Sequence, residues 1–388
     1  MGALLGLVGD MAAGPHFDVA IIGAGIAGAS LAYFLAPHLR VVLLEREAQP
    51  GFHSTGRSAA LFMESYGPPG VRALTRASRV FYTAPPAGFC DTPLVQPRGA
   101  LYVAAPGQEH LLAATRAELA PLCPHLASLD RAATLALVPC LRPEKVSGAL
   151  LDPDSMDIDV NALHQGFLRG SQRMGSELRC DSEVVAARRS GDAWELGLAG
   201  GGQIHAQRVV NAAGAWADLT ATMCGAAPVG LVPRRRSAFT FDAPVTYNHA
   251  HWPAVAGVDE SWYFKPDGGQ LLGSPANADD TVPHDVAPEE IDIATGIHRI
   301  EQVTNLRIRR PNHIWAGLRS FVADGELVIG FDDRRAGFFW LAAQGGYGIQ
   351  SAAAAALLAA CLLRGTALPP PLTEHGVTAE RFAPSRLR

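Results

Sequence analysis

The segment Phe17–Glu45 constrains this chain more than any other. Phe17–Gly23 (FDVAIIG) is an unbroken apolar run, as expected of a strand covered on both faces. Ile26–Leu35 reads as a helix stopped near Pro37, and Arg40–Glu45 (RVVLLE) as a second buried strand. Strand, helix and strand within about thirty residues make a parallel βαβ unit. Its first turn is Gly23-Ala24-Gly25-Ile26-Ala27-Gly28, a GxGxxG pattern. Alone that pattern is weak. Between a strand and a helix, with Glu45 closing the next strand, it is a dinucleotide fingerprint. Gly23 allows the tight turn, Gly25 lets a pyrophosphate approach the backbone, and Gly28 lets helix and strand pack closely. The helix N-terminus offers N–H groups and partial positive charge to phosphates. Glu45, 22 residues past Gly23, suits a ribose hydroxyl, and its charge disfavours a 2′-phosphate.

Composition narrows the class. With 48% hydrophobic and 18% charged residues over 388 positions, the chain can bury two domains' worth of core. The net charge of −5 and the lack of a basic stripe argue against nucleic acid as a partner. None of the six cysteines forms a CxxC pair, so reduced thiols in a cytoplasmic protein are expected, without zinc or a redox dithiol. The longest apolar run past the start, Ala352–Leu363, is too short to span a bilayer. No integral membrane segment is therefore expected, and a peripheral position at the inner membrane stays open. Residues 1–14 read as a loose N-terminal extension, with Met11 as a second possible start.

Further along, Gly51–Ser58 is a polar loop, residues 70–150 read as helical and Pro-punctuated, and Asp159–Met174 as a helix capped by Asp157 or Asp159. Gln203–Gly214 reads as strand closing on a small-residue turn. Residues 225–318 switch to strands around one helix, Pro288–Val303. Leu327–Phe331 is another strand, and Ser351–Leu363 a helix ended by Gly365. Both ends look like nucleotide-domain material and the middle like sheet. The expectation is an α/β chain, α+β at the two-domain level, with a Rossmann-like domain (15–84, 151–224, 320–388) interleaved with a substrate domain on a mixed or antiparallel sheet (85–150, 225–319).

Two later segments favour FAD over NAD. Val209–Trp216 (VVNAAGAW) resembles the second small-residue turn of FAD-binding oxidoreductases, and Gln344–Gln350 (QGGYGIQ) leads into the last long helix. Reduced flavin gathers negative charge near N1 and C2=O, which a helix N-terminus stabilises. With LEREAQPGFHSTGRSAA, RRRSAF, LLGSPANAD and WAGLRSFVADG, the chain from Phe17 onward resembles the D-amino-acid oxidase-type FAD oxidoreductases, and among them the bacterial D-arginine dehydrogenases.

The resemblance implies non-covalent FAD and a substrate pocket over the flavin. Arg236 and Arg319 would hold a substrate carboxylate, for which a planar guanidinium is suited. Tyr66 and Tyr263 would add hydroxyl contacts, and Gly346 would offer its carbonyl to the amine. Arg46, Ser54, Thr55, Arg57, Ser58 and Ala59 would contact FAD, with Val185 near the adenine. Ala213, Gly214, Gly345, Gly346, Gly348, Ile349 and Gln350 would supply the two later turns. The plain alternatives are a solvated basic turn for Arg234–Arg236, a structural ion pair for Arg319, and wet-tipped core aromatics for the tyrosines. The implied reaction is hydride transfer from Cα to flavin N5, giving an imino acid that hydrolyses to a 2-oxo acid. No general base is singled out, and neither oxygen nor a quinone is selected as the electron acceptor.

Two positions depart from the family's arginine-acting members. Leu61 replaces a histidine, and Ala100 replaces a glutamate that faces the substrate guanidinium. An unpaired buried cation is costly, so preference shifts from D-Arg and D-Lys toward apolar D-amino acids. If Phe62–Tyr66 is a strand, Glu64 shares a face with Tyr66 and restores an acidic contact. His249 and His251, on one face of a strand, lack a third ligand, so no metal is expected. The alternatives are the same fold acting on sarcosine or a cyclic imino acid, and a non-catalytic dinucleotide-binding protein.

Overall fold

The computed structural model describes residues 16–388. The expected extension, residues 1–14, lies outside them. One sheet of eight strands carries the fingerprint. His16–Ile22 lies at its centre, parallel to Gln203–Asn211 on one side and to Val41–Leu44 on the other. Glu177–Arg179 extends it beyond Val41–Leu44, and Phe338–Ala342 pairs in parallel with Gln203–Asn211. Val19, Ile21 and Leu43 face one core, while Ala20, Ile22, Val42 and Leu44 face another. Strand residues alternate between faces, so covering both faces demands an unbroken apolar run.

On the first face lie the helices Ile26–Leu35, Pro69–Thr83, Val160–Arg173 and Gly348–Arg364. The last is buried along Ala352–Ala356, where methyl side chains allow close helix approach. It ends at Gly365 in a left-handed conformation, φ 65°, as the sequence predicts. Asp159, not Asp157, caps the helix Val160–Arg173 by accepting from Ala162 N at 2.8 Å.

The second large sheet has nine strands. Val232–Phe241 is antiparallel to both His313–Phe321 and Gln270–Ser274. The order continues through Tyr263–Asp267, Ala254–Gly257, Ala100–Ala104 and Gly148–Asp152. Only Ala254–Gly257 and Ala100–Ala104 run parallel among these neighbours, so the sheet is mixed.

Three readings are corrected. Residues 70–150 are not mainly helical: they hold the strands Val95–Pro97, Ala100–Ala104, Ala127–Asp130 and Gly148–Asp152 beside three α-helices. Runs such as ALYVA are too short for periodicity to tell strand from helix. The strand expected at Phe62–Tyr66 ends after Phe62, so Glu64 and Tyr66 do not share a strand face. His249–His251 is a single 3-10 turn rather than a strand, which removes the argument for a shared face.

Glu326 joins distant parts of the chain. Its buried carboxylate accepts from Gly70 N at 2.8 Å and Val71 N at 3.0 Å, capping Pro69–Thr83, and from Arg381 Nε at 3.1 Å. Glu326→Ala strands those donors and should cost about 2–3 kcal/mol in denaturant unfolding, with Glu326→Gln losing less.

Candidate active site

Three adjoining cavities run from the fingerprint to the underside of the nine-stranded sheet. The first, about 290 Å³, is lined by Gly23, Gly25, Glu45, Arg46, Ala213 and Gly214 among others. The second, about 130 Å³, shares Gly25, Ser54, Thr55 and Gly214 with it and adds Arg57, Gly345 and Gly348. The third, about 170 Å³, shares Ser58, Ala59, Arg236, Tyr263, Arg319, Gly346 and Ile349 with the second. Residues far apart in sequence thus border one elongated space.

The first cavity is built as the motif predicts. Gly23 turns at φ 101°, and a Cβ on Gly28 would lie 1.9 Å from the Gly23 carbonyl oxygen. Glu45 is buried and accepts from Ala24 N at 2.9 Å and Glu47 N at 3.1 Å. Its carboxylate therefore braces the glycine loop it faces. Arg46 lies over the Trp216 ring at 3.9 Å and walls the cleft. Buried His164 donates from Nε2 to Ala24 O at 2.8 Å. Burial, only partly opposed by that bond and by Glu45, lowers its pKa and keeps the ring neutral.

In the middle cavity, the N-terminus of Gly348–Arg364 meets the loop Ser54–Ala59. Several expected contact groups are already engaged. Ser54 Oγ donates to Leu318 O at 2.7 Å, and Thr55 Oγ1 accepts from Ile26 N at 3.0 Å. Arg57 donates to Val286 O at 2.8 Å and Ala316 O at 3.1 Å and pairs with Asp285. Its guanidinium ties the loop to the second sheet rather than being held free for a cofactor. Gln344 Nε2 is buried here without a partner among the described residues. That orphan donor, the glycine-lined entry and the helix N-terminus fit an isoalloxazine edge rich in acceptor atoms.

The third cavity holds the paired arginines. Arg319 sits opposite Arg234 in the ladder between Val232–Phe241 and His313–Phe321, so Arg236 is its diagonal neighbour. Arg234 and Arg235 are bound elsewhere, to Asp280 and to Asp279, Glu289 and Asp292. Arg236 instead donates to Asn277 O at 2.5 Å, and Arg319 to Tyr66 Oη at 3.4 Å. Neither bond is to a carboxylate. Burial, and then the charge of Arg319, lower the pKa of Arg236. Tyr347, 5.0 Å from the Tyr66 ring, has its hydroxyl pushed up to about 12, chiefly by burial, and stays protonated. A Cβ on Gly346 would lie 2.8 Å from Arg319 Nη1, so this position admits the guanidinium only as glycine.

Some expected residues fall elsewhere. Val184 lines the first cavity, while Val185 is 53% exposed on the alternate strand face. Gln350 is buried and spans Met63 N, Tyr66 O and Thr75 Oγ1, so it pins the Tyr66 loop. Glu64 pairs with Arg79 at 2.6 Å and does not line the third cavity; Glu260 does, from a turn at φ 55°. Ala254, Ala256, Trp262 and Lys265 also line it. They share no local motif with the arginines, and only the sheet's alternation brings them under one roof.

Residues 18–362 match the family model of FAD-dependent oxidoreductases called DAO, and the chain belongs to that family. Solved structures share the fold. Glycine oxidase from Geobacillus kaustophilus is 21% identical with a TM-score of 0.82, covering 96% of this chain and 99% of that one. L-alpha-glycerophosphate oxidase from Mycoplasma pneumoniae, with FAD bound, is 19% identical with a TM-score of 0.81, covering 90% and 95%. L-amino acid deaminase from Proteus vulgaris is 16% identical with a TM-score of 0.79, covering 99% and 100%. The cofactor is FAD. No helix among the described residues is long and apolar enough to cross a membrane.

Two tests follow. The stability contributed by neutral His164 is complete above its unfolded pKa of about 6.5 and is lost as pH falls toward its lowered folded value. His164→Gln should flatten the dependence of thermal midpoint on pH across that window. Gly346→Ala should displace Arg319 and weaken a simple carboxylate such as propionate at least ~10-fold in a flavin spectral titration, consistent with a lost charged hydrogen bond.

Proposed function

We propose that this chain catalyses FAD-dependent oxidative deamination of D-amino acids, with preference for apolar side chains over D-Arg and D-Lys. The observation that carries it is the pair Arg236 and Arg319, two guanidiniums facing one cavity with no carboxylate bonded to either among the described residues. Like charges gathered in a partly dehydrated cavity call for an anion, and two planar forks suit a carboxylate.

The residues divide the work. Arg236 and Arg319 hold the carboxylate, Tyr66 and Tyr263 bracket it, and the Gly346 carbonyl accepts from the amine. The Cα–H is thereby left facing the middle cavity. FAD, when bound there, supplies the hydride acceptor. The chain's task is orientation, worth several orders of magnitude in rate. No side chain is assigned to remove the amine proton. The resulting imino acid is hydrolysed by water to a 2-oxo acid. Preference for D substrates is supported by the sequence resemblance. Preference for apolar side chains is supported by Leu61, Ala100, Ala254 and Ala256 around the third cavity.

Anaerobic mixing of purified enzyme with single D-amino acids, L-amino acids, glycine, sarcosine and the proline isomers tests the reading, because flavin bleaching reports substrates without assuming an acceptor. D-amino acids with apolar side chains should bleach faster than D-Arg and D-Lys; bleaching confined to L-amino acids or secondary amines overturns it. Arg319→Ala should raise the concentration for half-maximal bleaching about 100-fold or more, as loss of a charged hydrogen-bonded pair implies. Arg236→Lys should not restore full affinity, since an ammonium lacks the planar fork.

A further inference from the structure

Lys265 lines the third cavity and has no part in the proposed reaction. Lys265 lies two residues past Tyr263 on one strand, so both side chains leave the same face, about 7 Å apart. Lys265 is 5% exposed. Its Nζ bonds to Asp157 Oδ1 at 2.8 Å. That carboxylate is shared, because its Oδ2 accepts from Arg98 Nε at 2.5 Å. Exposed Asp267 stands off at 3.6 Å, where water screens it. An ammonium has three N–H donors, and among the described residues only Asp157 accepts from Lys265 Nζ. Two cations thus share the close carboxylate of Asp157, and the second partner of Lys265 is the more distant, exposed Asp267.

The way to Lys265 is lined by small side chains. Ala256 sits opposite Tyr263, and the same register brings Ala254 opposite Lys265 and beside Ala100. Three methyl groups therefore occupy the sheet face beside Tyr263 and Lys265, on the two strands farther from the arginines. Lys265 also borders a neighbouring cavity with Gln96, Arg98, Asp157 and His249, and is the only described residue that lines both spaces.

We infer that Lys265 is a specificity-determining residue, receiving the terminal carboxylate of a dicarboxylic D-amino acid of glutamate length and repelling cationic side chains. A glutamate side chain spans on the order of 5 Å from Cα, and a charged hydrogen bond extends its reach by about 2.8 Å. Its methylenes would lie against Ala100, Ala254 and Ala256. This inference rests on the proposed function for the placement of the α-carboxylate.

The test uses FAD-loaded full-length enzyme. Flavin spectral titration with glutarate and pentanoate compares ligands of one length that differ in the distal carboxylate. Wild type should bind glutarate at least ~10-fold more tightly, the scale of one charged hydrogen bond. Lys265→Met should abolish that preference. Ala100→Glu, which adds a competing carboxylate while leaving the Arg98–Asp157 pair in place, should abolish it too. In turnover, the ratio of kcat/KM for D-glutamate over D-norvaline should fall at least ~10-fold in Lys265→Met and rise in Asp157→Asn, which frees the ammonium. Equal affinity of wild type for the two ligands, or a ratio that Lys265→Met leaves unmoved, overturns the assignment. A glutarate preference without bleaching by any D-amino acid rejects the proposed reaction alone. Bleaching by D-norvaline without a glutarate preference rejects the subsite alone.

Discussion

Two guanidiniums on neighbouring strands, turned into the same cavity, set the terms for the rest of this structure. Their mutual repulsion favours the capture of an anion. The fold tolerates them because Arg236 and Arg319 are diagonal rather than directly opposed, roughly 7–8 Å apart at the backbone. Neutral groups, the Asn277 carbonyl and the Tyr66 hydroxyl, take a hydrogen bond from each and leave the remaining donors for a ligand.

Holding that pair against the flavin cavity requires a rigid joint between the two sheets. The loop Ser54–Ala59 supplies it. Ser54 donates to Leu318 O, Arg57 to Val286 O and Ala316 O, and Trp315 Nε1 returns a bond to Arg57 O at 3.1 Å. These bonds join the nucleotide-binding end to the strand that carries Arg319. From the other side, Gln350 fastens the loop bearing Tyr66 to the helix whose N-terminus borders the middle cavity. Several side chains that the sequence offered as cofactor contacts also build this joint.

How far the sequence could be read follows from the range of each signal. The fingerprint glycines, Glu45 and the flanking strands were legible because a βαβ unit is local and both its faces are covered. Arg236 and Arg319 were legible only through resemblance, since nothing in RRRSAF says which arginine faces a ligand. Strand alternation sends Arg235 to an acidic cluster on the opposite face, while Arg234 shares the face of Arg236 and pairs with Asp280. Residues 70–150 were misread because short apolar runs lack a distinguishing period. Glu64 was misplaced because the strand stops at Phe62, and its carboxylate finds Arg79 instead.

By itself, the sequence determined the dinucleotide fold, the choice of FAD by resemblance, and the residue types available to bind an acid. Those rest on patterns spanning a few dozen residues, where backbone geometry leaves little choice. Only the tertiary structure decided which cations stay without a carboxylate, which loop residues are spent on the joint, and that Lys265 lies beyond Tyr263 under a roof of alanines. Such facts depend on cross-strand register between segments more than a hundred residues apart, as with Ala100 and Ala254, and no local pattern encodes which side chains that register will bring face to face.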